Sequence, residues 1–133
     1  ALHATKAALA EGIVPGGGVA LLNASQKIEH KGAGYEILLS AITSPYNTIL
    51  KNAGYEDLLN PKQYVEENKD IEDDGWEGVG IDATCGCYKN MVENGIIDPV
   101  LVTKSALKNA ISVATTIIST DCIISNVRTL ESN

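Results

Sequence analysis

Three consecutive glycines, Gly16, Gly17 and Gly18, stand between two stretches of helical pattern and constrain this chain more than any other feature. Glycine costs about 0.5–1 kcal/mol in a helix interior, so a run of three breaks any helix and needs a reason in its backbone. It offers bare main chain that can approach a ligand or another backbone closely, and N–H groups at a helix N-terminus that favour negative charge. A plain turn and a ligand-binding turn are both consistent with the residues. Phosphate motifs do not decide between them. Gly12 and Gly17 have the glycine spacing of a P-loop, but Gly18 and Val19 stand where Lys and Ser or Thr belong. A dinucleotide fingerprint would need a glycine where Leu21 stands.

Around this run the pattern is helical. Residues 1–11 are rich in alanine and predict a helix that stops at Gly12. No capping residue precedes Ala1, which suggests a chain cut from a longer one. A second helix is expected over 17–29. From Tyr35 onward, Leu38, Leu39, Ile42, Tyr46, Ile49, Leu50 and Ala53 share one helical face closed by Gly54, with Pro45 kinking or splitting the helix. Asn60 and Pro61 read as N-cap and first residue of a short helix ending at 67 or 68. Residues 84–93 predict a further helix, closed at Asn94-Gly95. The clearest helix signal has Asp98 as N-cap, Pro99 as first helical residue and an apolar face at Leu107, Ala110, Ile111, Ala114, Ile117 and Ile118, running to about 124. Between them Gly75, Gly78 and Gly80 punctuate two short runs, 76–79 and 81–83, that pair as a small ribbon leaning on the helices. The expected fold is mainly α, a helical bundle with a small two-stranded β-ribbon near residues 76–83 and a polar, frayed tail at 126–133.

Composition narrows the function. A chain of 133 residues with 44% hydrophobic residues suits one domain. With five Tyr, one Trp and no Phe, its core must be built from Ala, Ile, Leu and Val. A net charge of −7 argues against nucleic acid, which calls for a basic face. There is neither an apolar run of membrane-spanning length nor a leader pattern. Residues 66–77 hold seven acids and one lysine, and so most of the net charge. Within them Asp70, Glu72, Asp74 and Gly75 imitate the start of a calcium loop, but Ile81 stands where the bidentate Glu belongs, so a solvated acidic loop is the main reading and calcium binding the alternative. Cys85, Cys87 and Cys122 are odd in number and lack CxxC spacing, which fits a reducing compartment with neither a disulfide framework nor a zinc site. Two thiols flanking Gly86 at a presumed helix start are too few ligands for coordination. His3 and His30 have no acid or nucleophile at motif spacing and read as solvent-facing or packing residues.

Two strings carry a resemblance. Ala1-Leu2-His3-Ala4-Thr5-Lys6-Ala7-Ala8 with Glu11-Gly12-Ile13-Val14-Pro15-Gly16-Gly17-Gly18-Val19-Ala20-Leu21 closely resembles the group I (GroEL-type) chaperonins. Asn94-Gly95-Ile96-Ile97-Asp98-Pro99, followed by Val102-Thr103-Lys104-Ser105-Ala106-Leu107, resembles them too, as do Asn52-Ala53-Gly54 and the stretch 91–95. The resemblance covers essentially all 133 residues in order and implies the C-terminal part of the equatorial domain, with the N-terminal equatorial segment and the intermediate and apical domains elsewhere. It implies an ATP-hydrolysing folding chaperone with Mg2+, working as a homo-oligomeric ring with unfolded polypeptides and a co-chaperonin as partners. In that family Gly17 corresponds to a nucleotide-contacting glycine, and Asp82, Ala83 and Thr84 to the adenine-contacting segment. Ile96 corresponds to a residue packed near the base, and Asp98 to an aspartate on the ribose. From the residues alone, N-capping ranks above ribose binding for Asp98, and Ile96 reads also as core. The phosphate- and magnesium-binding motif and the water-positioning aspartate would precede Ala1, so this chain keeps the adenosine side of the site and is expected to be inactive by itself. A mitochondrial matrix is preferred over bacterial cytoplasm, because no Gly-Met-rich tail closes the chain. The competing class is a non-enzymatic helical interaction module without nucleotide binding.

Overall fold

The computed structural model describes residues 2–29, 32–58, 60–67, 76–122 and 124. The expected calcium-loop imitation at Asp70, Glu72 and Asp74, the residue His30 and the tail at 126–133 lie outside them. Among the described residues are five α-helices: α1 (Leu2–Glu11), α2 (Val19–Lys27), α3 (Ala33–Ala53), α4 (Pro61–Glu67) and α5 (Val100–Ile118). Four short strands accompany them: β1 (Ile13–Pro15), β2 (Val79–Asp82), β3 (Cys87–Asn90) and β4 (Ile97–Pro99). The mainly helical architecture is the one the apolar periodicity predicts, and of the two small antiparallel sheets one lies near the expected ribbon. No helix of the described residues is long and apolar enough to cross a membrane.

Local chemistry explains most boundaries. α1 stops where the Gly12 N–H turns back to the Ala8 carbonyl at 2.8 Å. Pro45 does not split α3, which runs through it to Gly54, whose N–H reaches the carbonyls of Leu50 and Lys51. Asn60 caps α4 as expected, its Oδ1 accepting the Lys62 N–H at 3.0 Å, with Pro61 at the first helical position. α5 ends at Ile118 rather than near 124. Its last turns carry Ser and Thr hydroxyls that donate to carbonyls one turn back, Ser119 to Thr115 and Thr120 to Thr116, and such local bonds compete with continued helix.

The helix expected over 84–93 is absent. Residues 83–86 form a tight turn and β3 pairs antiparallel with β2, Ile81 opposite Tyr88 and Asp82 opposite Cys87. Two contacts outweigh helix propensity here. The Asp82 carbonyl accepts the N–H groups of Cys85 and Gly86, which bends the chain back, and the Tyr88 ring stacks on Tyr64 at 3.6 Å. The ribbon therefore spans 79–90, and Trp76–Gly78 is a 3-10 turn leading into it.

One core cluster joins the parts. Val19 and Leu22 of α2, Tyr46 and Leu50 of α3, Ile81 of β2 and Met91 pack together, with Ile96, Tyr55 and Tyr88 against them. α5 stands apart from this core: it packs on α1 and none of its residues is buried. The apolar face predicted for it instead looks across a cleft of about 900 Å³ toward Ile37, Leu38 and Ile49 of α3. Contiguous exposed apolar surface of this kind binds hydrophobic probes. The chain by itself is expected to enhance the fluorescence of an apolar dye, and Ala110→Lys with Ala114→Lys, which put charge into the cleft, should abolish most of that signal. An unchanged signal would place the exposed apolar surface elsewhere.

Candidate functional site

The glycine run is a turn between β1 and α2, and packing accounts for two of its three residues. Gly16 lies against the Ile96–Ile97 backbone, where an added Cβ would sit 3.1 Å from main-chain atoms, and its N–H donates to the Ile96 carbonyl at 2.9 Å. Gly18 has φ +81° and lies on α3, where a Cβ would come within 2.7 Å of the Tyr46 nitrogen. Gly17 is less confined, with only the Met91 methyl near its Cβ position. Among the described residues the N–H groups of Gly17 and Gly18 have no protein acceptor, although they stand at the start of α2. Free donors at a helix N-terminus are where the backbone favours an anionic or strongly polar ligand atom.

Beside the run lies the other small sheet, which the sequence reading did not foresee. β1 pairs antiparallel with β4, Val14 opposite Asp98 and Pro15 opposite Ile97. The signal was present in the β-branched pairs Ile13-Val14 and Ile96-Ile97, each directly after a glycine, but both are too short to show a period. This sheet overturns the capping role of Asp98. Asp98 is in extended strand, Pro99 takes the N-cap position, and no side chain caps α5. The Gly12 carbonyl accepts the Val100 N–H at 3.1 Å and so satisfies the first helical donor. The Asp98 carboxylate is left exposed, with no hydrogen bond or ion pair among the described residues. It is the sole charged side chain among those described that line the cleft, which Gly17 and Gly18 also line.

Asp82, Ala83 and Thr84 sit on the turn of the other ribbon. The Asp82 side chain is committed within that turn. Its Oδ1 accepts both the Thr84 N–H at 2.9 Å and the Thr84 hydroxyl at 2.6 Å, and Oδ2 pairs with the Lys89 ammonium at 2.8 Å. Lys89 first, then the two Thr84 donors, hold the Asp82 carboxyl well below the usual carboxylate range, and Asp82 in turn raises Lys89. A depressed acid stabilises the fold above its unfolded pKa and loses that contribution as pH falls; a raised base does the reverse. The ribbon turn is therefore expected to be firmest between about pH 4 and pH 10. Lys89→Met should move the Asp82 titration, followed by carboxyl NMR, part of the way back up. If it does not move, the ion pair is not what holds the proton off.

The two sheets meet through the core. Val19, directly after the glycine run, and Ile81, directly before Asp82, belong to the same cluster as Met91, and Ile96 packs on it. Gly80 permits this approach, since a Cβ there would lie 2.6 Å from the Val19 side chain and 2.7 Å from the Met91 sulfur. Gly17 and Asp98 thus line one cleft, Ile96 is bonded to the adjoining Gly16, and residues 82–84 are held on the far ribbon by shared packing rather than by a direct bond. Among the described residues no three His, Cys, Asp or Glu side chains gather as a metal site requires.

Comparison with known proteins places the fold. The chain is similar to one in the crystal structure of a group III chaperonin in the open state, with a TM-score of 0.68 and 27% identity, covering 89% of this chain and 25% of that one. It spans about a quarter of the length of that relative. Residues 1–128 match the model of the TCP-1/cpn60 chaperonin family. Matched over nearly its whole length, the chain belongs to the TCP-1/cpn60 chaperonin family.

Proposed function

We propose that this chain is the C-terminal segment of the equatorial domain of an ATP-dependent protein-folding chaperonin of the group I type, and that it forms the adenosine side of the nucleotide site. The observation that carries the reading is the meeting, along one cleft, of groups without a partner among the described residues: the N–H donors of Gly17 and Gly18 and the carboxylate of Asp98. A ribose hydroxyl is both donor and acceptor and suits the Asp98 carboxylate; a nucleotide oxygen suits the glycine N–H groups at the start of α2. Ile96 offers apolar surface for the base. Because the Asp82 side chain is tied into its own turn, adenine would meet the exposed edge of Ala83 and Thr84 rather than the Asp82 carboxylate.

The rest of the reading concerns what lies outside this chain. An apolar cleft of about 900 Å³ is too large and too dry to be an adenosine pocket alone, and suits further helices of the same domain. The described residues do not fit a magnesium ion, so Mg2+ would be held with the phosphates by the remainder of the protein. Other subunits of a ring, unfolded polypeptides and a co-chaperonin are the partners this implies, and the mitochondrial matrix the preferred compartment.

The test is to produce the full-length protein and examine it by electron microscopy and ATPase assay. Rings that hydrolyse ATP are expected, whereas the present chain by itself should turn over no ATP above background, because among the described residues lining the cleft there is no cationic side chain to meet the charge that develops on the transferred phosphoryl group. A full-length protein that neither assembles nor responds to nucleotide would instead favour a helical interaction module.

A further inference from the structure

The turn that replaces the expected helix brings two thiols together. On a helix, residues two apart face different directions, and Cys85 and Cys87 would not meet. Here Gly86, with φ +69°, folds the chain back between them. The fold-back is fixed from three sides: the Asp82 carbonyl holds the N–H groups of Cys85 and Gly86, Cys87 pairs with Asp82 in the ribbon, and Gly86 lies on the Tyr55 ring, where a Cβ would come within 2.7 Å. Both cysteines are exposed. The Cys87 sulfur lies 3.6 Å from the Cys85 carbonyl oxygen. A disulfide requires its two Cα atoms within about 7 Å and its Cβ vectors converging, and a residue pair separated by one left-handed glycine meets the first condition.

We propose that Cys85 and Cys87 form a thiol modification site, a reversible dithiol–disulfide pair that exchanges with small-molecule disulfides of the glutathione class. The electrostatics agree with close sulfurs. A hydrogen bond with the Cys85 thiol is the main influence raising Cys87, with burial and Asp82 adding to it and Lys89, two residues along β3, opposing it. The exchange runs in two steps. One cysteine gives up its proton, its thiolate attacks a sulfur of glutathione disulfide, and one glutathione leaves as thiolate, producing a mixed disulfide. The second cysteine, deprotonated in turn, attacks the protein-side sulfur and expels the second glutathione. Two protein thiols are oxidised to one disulfide, one glutathione disulfide is reduced to two glutathione thiols, and the two cysteine protons end on them. Nucleotide binding plays no part in this chemistry, although the pair shares its turn with Ala83 and Thr84, so oxidation would give that turn a covalently fixed second state.

The test is thiol mapping. The chain, wild type and Cys122→Ser, is incubated with glutathione disulfide, quenched in acid and mapped by peptide mass spectrometry, with Cys85→Ser and Cys87→Ser in parallel. A neighbouring thiol acts at an effective concentration on the order of millimolar, so with free glutathione held at micromolar levels the internal attack should win by at least about tenfold. Wild type and Cys122→Ser are expected to lose both Cys85 and Cys87 thiols without retaining glutathione on that peptide, reversibly with dithiothreitol. Each single Ser variant should trap about tenfold more glutathione at its remaining cysteine. Wild type carrying glutathione at the level of the single variants, or leaving both thiols titratable while Cys122 reacts, would overturn the proposal.

Discussion

Gly18→Ala is expected to destabilise the chain by about 2–5 kcal/mol, the largest loss of any single-methyl addition here. Two costs add. With φ +81° the residue is in the left-handed region, which costs an L-residue about 1–2 kcal/mol. The new Cβ would also lie 2.7 Å from the Tyr46 nitrogen and 2.9 Å from its Cα, and these are main-chain atoms of α3 that cannot rotate away. Overpacking a close contact of this kind costs about 1–3 kcal/mol more. Gly34→Ala is the control, since that glycine lies inside α3 with nothing within 4 Å of its Cβ position. There alanine should be neutral or stabilising by up to about 1 kcal/mol. Urea unfolding of the two variants separates these outcomes. Equal midpoints would mean that the glycine turn does not rest on α3 as described.

What the sequence could show followed from how far each signal reaches along the chain. The face of α3 is legible because Leu39, Ile42, Tyr46 and Leu50 repeat over a long helix, and all four are buried. Capping chemistry was legible at Asn60-Pro61, where the competing forces are local. It misled at Asp98-Pro99. The same residues satisfy an N-cap pattern, yet β1 arrives from more than 80 residues earlier, draws Asp98 into a strand and supplies the Gly12 carbonyl in its place. The helix expected at 84–93 failed for the same reason, since the partners that make β3 a strand, β2 and Tyr64, are not visible in a local window. In the candidate site, Gly16 and Gly18 turn out to have packing reasons, which the sequence could not separate from a binding reason. Gly17 has a backbone reason, a left-handed φ of +65°, and Asp98 alone among the described site residues has neither.

Asp98 separates structure from binding most sharply. Replacing a capping aspartate by alanine would cost the chain about 0.5–2 kcal/mol of stability and lower its melting temperature. In this structure the Gly12 carbonyl meets the first donor of α5 and the carboxylate makes no hydrogen bond or ion pair among the described residues, so Asp98→Ala and Asp98→Ser should both leave the chain's melting temperature nearly unchanged. In the full-length chaperonin the same substitutions remove the acceptor proposed for the ribose. Leaving a polar partner unpaired costs roughly 1–3 kcal/mol, or about 5- to 150-fold in affinity. Serine should not rescue the contact, because its oxygen is a bond shorter. The direct measurement is equilibrium titration of full-length wild type, Asp98→Ala and Asp98→Ser with ATP and ADP. The account predicts binding to wild type and a loss of about 5- to 150-fold in both variants at unchanged thermal stability. Binding by Asp98→Ala equal to wild type would contradict it, and would leave this segment without the adenosine side of the site.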